Sequence, residues 1–194
     1  GGAVNSISKK ASTAYDFGRV DASIGTDDYY RLGLDYNTPI STNFATRVNI
    51  LSAEEDAPGR DDISRSRNGI LLSGLYDNLD DLRVYTDLYY LEAEDTPDLG
   101  SYFDSETRSP LEDIPVYAQD EDFLDSEVFA FTVRTEYDIN ENMTFYNSTR
   151  YGETSNGYRS TGARGTVRDA SDPFAPGADT VNLSTHQGWQ EVEY

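Results

Sequence analysis

The feature that most restricts this chain is the unequal length of the connections between its alternating segments. Leu32, Leu34 and Tyr36 alternate with Arg31, Gly33 and Asp35, while Phe44, Thr46, Val48 and Ile50 alternate with Ala45, Arg47, Asn49 and Leu51. A period of two is that of a β-strand whose faces meet different surroundings. The same pattern is legible at 15–26, 70–76, 82–90, 129–139, 145–151 and 184–194, with a shorter alternating piece at 3–9. Turn chemistry at 37–43, 77–81 and 140–142 gives short connections, whereas 53–67, 92–126 and 153–182 read as long polar loops. Antiparallel strands put successive connections at opposite ends, so every long loop falls on one side. That asymmetry is the signature of an outer-membrane β-barrel. A soluble β-sandwich would also alternate, but without the one-sided bias.

A barrel in lipid must be apolar outside and is free to be polar inside. Leu32, Leu34, Val48, Ile50, Leu72, Val84, Leu88, Phe131 and Val133 are therefore expected to face lipid. Arg31, Asp35, Arg47, Asn49, Arg83, Asp87, Arg134, Glu136 and Arg150 occupy the opposite, inward positions. Tyr30, Tyr36, Tyr76, Tyr90 and Tyr137 lie near strand ends on the lipid side, where an amphipathic ring buries its body and wets its hydroxyl.

Charge removes several classes of function. The 194 residues carry a formal net charge of -21, which opposes binding to a phosphate backbone and predicts no nucleic-acid partner. With no cysteine and a single histidine, His186, the chain has neither thiolate chemistry nor a multi-histidine zinc site. No nucleophile, base and orienting group occur together, so the chain is not expected to be an enzyme or to need a cofactor or metal. The 92–126 stretch is acidic, with Arg108 its only base, and reads as a solvated external loop. Within it, Tyr102, Phe103, Arg108 and Tyr117 are the candidates for contact with an aromatic or anionic ligand. Arg47, Arg83 and Arg134 are the candidate contacts inside the lumen.

Gly1-Gly2-Ala3-Val4-Asn5-Ser6-Ile7-Ser8-Lys9-Lys10 resembles the GG-x-(V/I)-N-x-x-(S/T)-K-x stretch that closes the plug of TonB-dependent siderophore receptors. Arg31-Leu32-Gly33-Leu34-Asp35-Tyr36-Asn37-Thr38-Pro39-Ile40, followed by Ala45-Thr46-Arg47-Val48-Asn49, is similar to that family's "R-x-x-x-D-x-N-x-P-(L/I) … A-x-R-x-N" hairpin. Glu136-Tyr137-Asp138-Ile139-Asn140 and Tyr146-Asn147-Ser148-Thr149-Arg150-Tyr151 resemble a later hairpin, and Asp95-Thr96-Pro97-Asp98 leans toward the catecholate receptors.

The resemblance implies an all-β antiparallel transmembrane barrel, of which this fragment holds about seven or eight of an expected ~22 strands. Residues 1–10 would end the plug and 11–194 would open the barrel. The implied function is active uptake of a ferric siderophore across the bacterial outer membrane. The implied partners are membrane lipid and the TonB complex, the latter through an N-terminal region missing from the fragment. Two alternatives are a passive porin-type barrel and a soluble acidic β-protein that binds cations.

Overall fold

The computed structural model describes residues 7–100, 103–104, 109–110, 116–163 and 183–194. Among these residues eight strands form one antiparallel sheet in which each pairs with the next of the eight along the chain. They are β1 (Phe17–Ile24), β2 (Tyr30–Pro39), β3 (Phe44–Asp56), β4 (Ser64–Asp77), β5 (Leu82–Asp95), β8 (Phe123–Asn140), β9 (Met143–Ala163) and β10 (Leu183–Glu193). Two short strands, β6 (Phe103–Asp104) and β7 (Ser109–Pro110), pair with each other between β5 and β8. The 7–16 segment ahead of β1 is irregular.

The connections sort as the alternation predicts. Those at 40–43, 78–81 and 141–142 lie at one end of the sheet; those at 25–29 and 57–63 lie at the other, where β5 also ends, β8 begins, β9 ends and β10 begins. Local chemistry sets the tight ones. Asp27 and Asp28 both take positive φ (57° and 50°), the conformation a twisted two-residue hairpin turn requires. At 78–81 the Asn78 Oδ1 accepts from the amides of Asp80, Asp81 and Leu82 at 2.9–3.0 Å, replacing the ladder where the chain reverses. Asn43 then links the two turns, donating from Nδ2 to the Asp77 carbonyl at 2.8 Å.

The faces also follow the alternation. Cross-strand partners share a face, so Tyr36, Val48, Leu72, Leu88 and Phe131 make one continuous row, and Val20, Leu34, Ile50, Ile70, Tyr90 and Phe129 make the next. These side chains stay open to the outside although they are apolar: Leu72 is 40% exposed and Phe131 41%. A band of this extent is unfavourable in water and favourable in hydrocarbon. The buried apolar cluster lies on the other face, where Ala11, Ala45 and Leu75 come together with Tyr85 packed against them.

The strands are longer than the alternation suggests, and the three long loops correspondingly shorter. Glu92–Asp95 belongs to β5, Phe123–Ser126 to β8, Ala53–Asp56 to β3, Ser64–Arg67 to β4, and residues 153–163 to β9. At ~3.3 Å per residue, the 21 residues of β9 run to about 70 Å, well beyond the ~30 Å hydrocarbon layer. The ladder continues where the alternation stops because both faces are wet there. The change falls on one register row: Ser52, Asn68, Glu92 and Glu127 are successive partners, one step beyond Ile50, Ile70, Tyr90 and Phe129. Leu72→Arg in the full-length protein folded into phospholipid vesicles should therefore cost about 2–4 kcal/mol in a urea titration. Ser66→Arg, on the same face beyond that row, should cost about 0–1 kcal/mol, and equal costs would refute the placement of the boundary.

Candidate functional site

The inner face is built around one carboxylate. Asp35 on β2 accepts from Arg47 on β3 through both oxygens, Nε to Oδ1 and Nη2 to Oδ2, each at 2.8 Å. Lys9 Nζ reaches the same Oδ2 at 2.8 Å and Asn49 Oδ1 at 3.0 Å. The fork is largely withdrawn from water, with side-chain exposures of 14% for Arg47 and 10% for Asp35. A bidentate guanidinium–carboxylate pair fixes direction as well as distance. Its third donor, Arg47 Nη1, is given to the Lys10 carbonyl at 3.1 Å, and the guanidinium lies 5.2 Å from the Phe17 ring centroid.

The 7–16 segment is held by its backbone as much as by its side chains. Asn37, wholly buried, accepts from the Ser12 amide at 2.9 Å and donates to the carbonyls of Ser12 and Tyr15 at 3.0 and 2.6 Å. A strand residue thus supplies partners that an irregular segment would otherwise lack. The Ser73 hydroxyl on β4 sits between the Lys9 carbonyl (2.8 Å) and the Asp87 carboxylate of β5 (2.7 Å). Thr38 bonds Asp16 at 2.9 Å, and Lys10 Nζ lies 4.6 Å from the Tyr85 ring centroid. Asn37 reads from sequence as turn chemistry; it is instead an inward strand position. Toward the long-loop end of this wall lies a concavity of about 470 Å³, bordered by Lys9, Asp35 and Asn49 and by the apolar Leu51, Leu71 and Leu91.

The long-loop end is cross-tied by ion pairs. Arg67 pairs with Asp95 at 2.5 and 2.8 Å, and Arg60 grips Asp98 through Nε at 2.6 Å and Nη2 at 2.9 Å. The Gly100 amide, at a φ of 82° that favours glycine, adds a third bond to Asp98 at 2.9 Å. Asp122 accepts from the amide and hydroxyl of Thr161 at 2.8 and 2.9 Å. The acidic stretch is therefore partly fixed rather than wholly solvated, because its basic and hydroxyl partners come from distant segments. The Arg60 guanidinium holds the Asp98 carboxyl below the usual carboxylate range against the opposing effect of burial, with the Gly100 amide assisting. Among the described residues no group of three or more acidic or histidine side chains is placed to hold a metal.

The candidate ligand residues fall into three sets. Tyr102 and Arg108 lie outside the described residues, and Phe103 is in β6, paired with Pro110. Tyr117 is half-buried in the connection to β8, and its carbonyl accepts from Gln119 at 3.0 Å. The three inward arginines do not converge. Arg47 is engaged with Asp35 and Lys10, while Arg83 sits at the short-turn end with Glu136 and Asp138 at 3.2 and 3.0 Å. Arg134 lies beside Tyr85 and Ser148 in the ladder, its Nε buried without a hydrogen-bond partner among the described residues. Sequence reasoning missed the role of Asp35, Asn37, Ala45 and Ser73 in seating the 7–16 segment. The signal was present in the D-x-N … A-x-R spacing of the β2–β3 hairpin, which places all but Ser73 on one face.

No family model matches the chain. Curated relatives do. It is 33% identical over 159 residues to the probable TonB-dependent receptor BfrD of Bordetella pertussis, covering 78% of this chain and 21% of that protein. It is 30% identical over 167 residues to the probable TonB-dependent siderophore receptor PiuA of Acinetobacter baumannii, covering 81% and 22%. The crystal structure of the ferric-catecholate import receptor Fiu from Escherichia coli K12, in its closed form, superposes with a TM-score of 0.78. There the identity is 25%, over 96% of this chain and 28% of that one. The homologues of this chain are TonB-dependent siderophore receptors. The eight-stranded sheet matches a section of their transmembrane barrel, and the chain spans about a fifth to a quarter of the length of the curated relatives.

Asp35→Ala in the full-length protein should destabilise it by about 3–5 kcal/mol, because Arg47 and Lys9 lose a shared buried counter-charge. Asn37→Ala should cost about 1–3 kcal/mol; both are read by denaturant titration. The depressed Asp98 carboxyl contributes stability that is complete above the ordinary carboxylate value of ~3.9 and lost as pH falls through its lower folded value. Hydrogen exchange at 57–63 and 96–100 should therefore accelerate on acidification below that range, and Asp98→Asn should exchange fast at every pH.

Proposed function

We propose that this chain is part of an outer-membrane receptor that actively takes up a ferric siderophore with energy delivered through TonB. The observation that carries the reading is its likeness, over 96% of its length, to a receptor described as importing ferric catecholates. The apolar outer rows and the polar inner wall suit a lipid-embedded barrel. On this reading residues 1–10 close a plug and residues 11–194 belong to the barrel, with the long-loop end outside the cell. The role is transport rather than catalysis, as with the receptors it resembles.

Tyr102, Phe103, Arg108 and Tyr117 belong to the connection at the external end and are proposed to meet the ligand first. Aromatic rings stack on an aromatic ligand, and a guanidinium attracts its negative charge. Arg134 is proposed as an inner contact. Arg47 and Arg83 are already engaged with carboxylates, so any contact they make with ligand would be at the expense of those pairs. In the purified full-length receptor, replacing Tyr102 and Arg108 together by alanine should weaken ferric-catecholate binding about tenfold, or ~1.4 kcal/mol. Uptake by iron-starved cells should fall in parallel. Unchanged affinity would remove these residues from the site, and diffusion-like uptake that survives loss of TonB would favour a passive pore.

A further inference from the structure

We propose that the outward face of the sheet, just beyond the lipid boundary at the long-loop end, binds the saccharide headgroup of a membrane glycolipid. This rests on the outer-membrane placement of the barrel and not on the siderophore it carries. A concavity of about 450 Å³ opens there, with Tyr30 on β2 at one side and Phe123 on β8 at the other. Tyr30, Glu54, Ser66, Glu94 and Asp125 are successive cross-strand partners, so they form one outward row across β2, β3, β4, β5 and β8. At ~4.8 Å per strand the row is about 19 Å wide. Each of these five strands is paired on both sides, which puts the groove inside the sheet and away from its edges.

The chemistry of the groove selects a sugar. Among the described residues the carboxylates of Glu54, Glu94 and Asp125 have no hydrogen-bond or ion-pair partner. Glu94 and Asp125 stand directly opposite each other, where like charges repel. The other charged residues at the border are engaged, Arg65 with Glu55, Asp95 with Arg67 and Asp122 with Thr161. What remains is a set of acceptors without donors beside two aromatic rings. A phosphate brings only acceptors and negative charge, so it is repelled. A sugar brings hydroxyl donors to the carboxylates and C–H faces to the rings. Position then selects a lipid-borne sugar. The row lies four residues beyond Ile50, Ile70, Tyr90 and Phe129 on the same face, or about 13 Å along the strands. With strands tilted by ~35–45°, that is about 9–11 Å above the boundary. A phospholipid headgroup layer is only ~5–8 Å deep on each side. A larger headgroup reaches the groove while its acyl chains lie along the apolar rows.

The test uses the full-length protein folded in detergent, with bound lipid followed by native mass spectrometry as each probe is titrated. The probes are rough lipopolysaccharide stripped of its phosphates, phosphatidylglycerol, and the oligosaccharide freed from its acyl chains. The first should bind about tenfold more tightly than either of the others, with EDTA present or absent. Glu94→Ala combined with Asp125→Ala should weaken it about tenfold, and Phe123→Ala about threefold. Glu55→Ala, on the inner face beside Glu54, should leave it unchanged. Heat-modifiable migration confirms that each variant is folded, and Phe123→Ala carries the test if the double variant is not. Equal binding of phosphatidylglycerol, or loss of binding in EDTA, would overturn the sugar as the group recognised. Equal binding of the free oligosaccharide would overturn the lipid, and indifference to the variants would overturn the groove. Failure of the outer-membrane reading shows itself separately, as a protein that stays folded and soluble without detergent.

Discussion

A strand that crosses hydrocarbon has no water to satisfy its amides and carbonyls, so each must find them on a neighbouring strand. The continuous ladder from β1 to β10 answers that requirement, and most of the remaining architecture follows from it. Sequential antiparallel pairing sends successive connections to opposite ends. Pairing in fixed register also gathers alternate residues into rows, so a local period of two becomes an apolar outer belt and a polar inner wall. A one-residue slip in any strand would exchange the two faces.

The two ends of this wall do different work. At the short-turn end, Asn78 and Asn43 satisfy and tie the reversals with single side chains. At the other, the ladder outruns the lipid and is finished by charged pairs, Arg67 with Asp95 and Arg60 with Asp98. Between them lies the patch where the 7–16 segment is seated. There the polarity of the inner face has a specific use: Arg47, Asn37 and Ser73 bond the backbone of an irregular segment that has no strand partners, and Asp35 orients Arg47 and holds Lys9 by its side chain. The family-like hairpin spacing is thus explained by contacts to a backbone, and Ala45, buried against Ala11, by the closeness of that backbone.

Much of the fold was legible before any coordinates. The face of every named lipid-side and lumen-side residue follows from alternation, and the short turns at 78–81 and 141–142 from their composition. The strand ends were not legible, because alternation marks a difference between two environments and vanishes where both faces are wet. The acidic stretch read as free loop for a related reason: its partners Arg60, Arg67 and Thr161 are remote in sequence. Asn37 was misplaced because the same amide that closes a turn can serve a neighbouring segment from within a strand.

By itself, then, the sequence determined the period, the sidedness and the order of strands, since these depend on residue type and spacing along the chain. Tertiary structure alone decided which charges are paired, how far the ladder extends and where the 7–16 segment is fastened. Those depend on cross-strand register, which brings Lys9, Asp35 and Ser73 within bonding distance although up to 64 residues separate them.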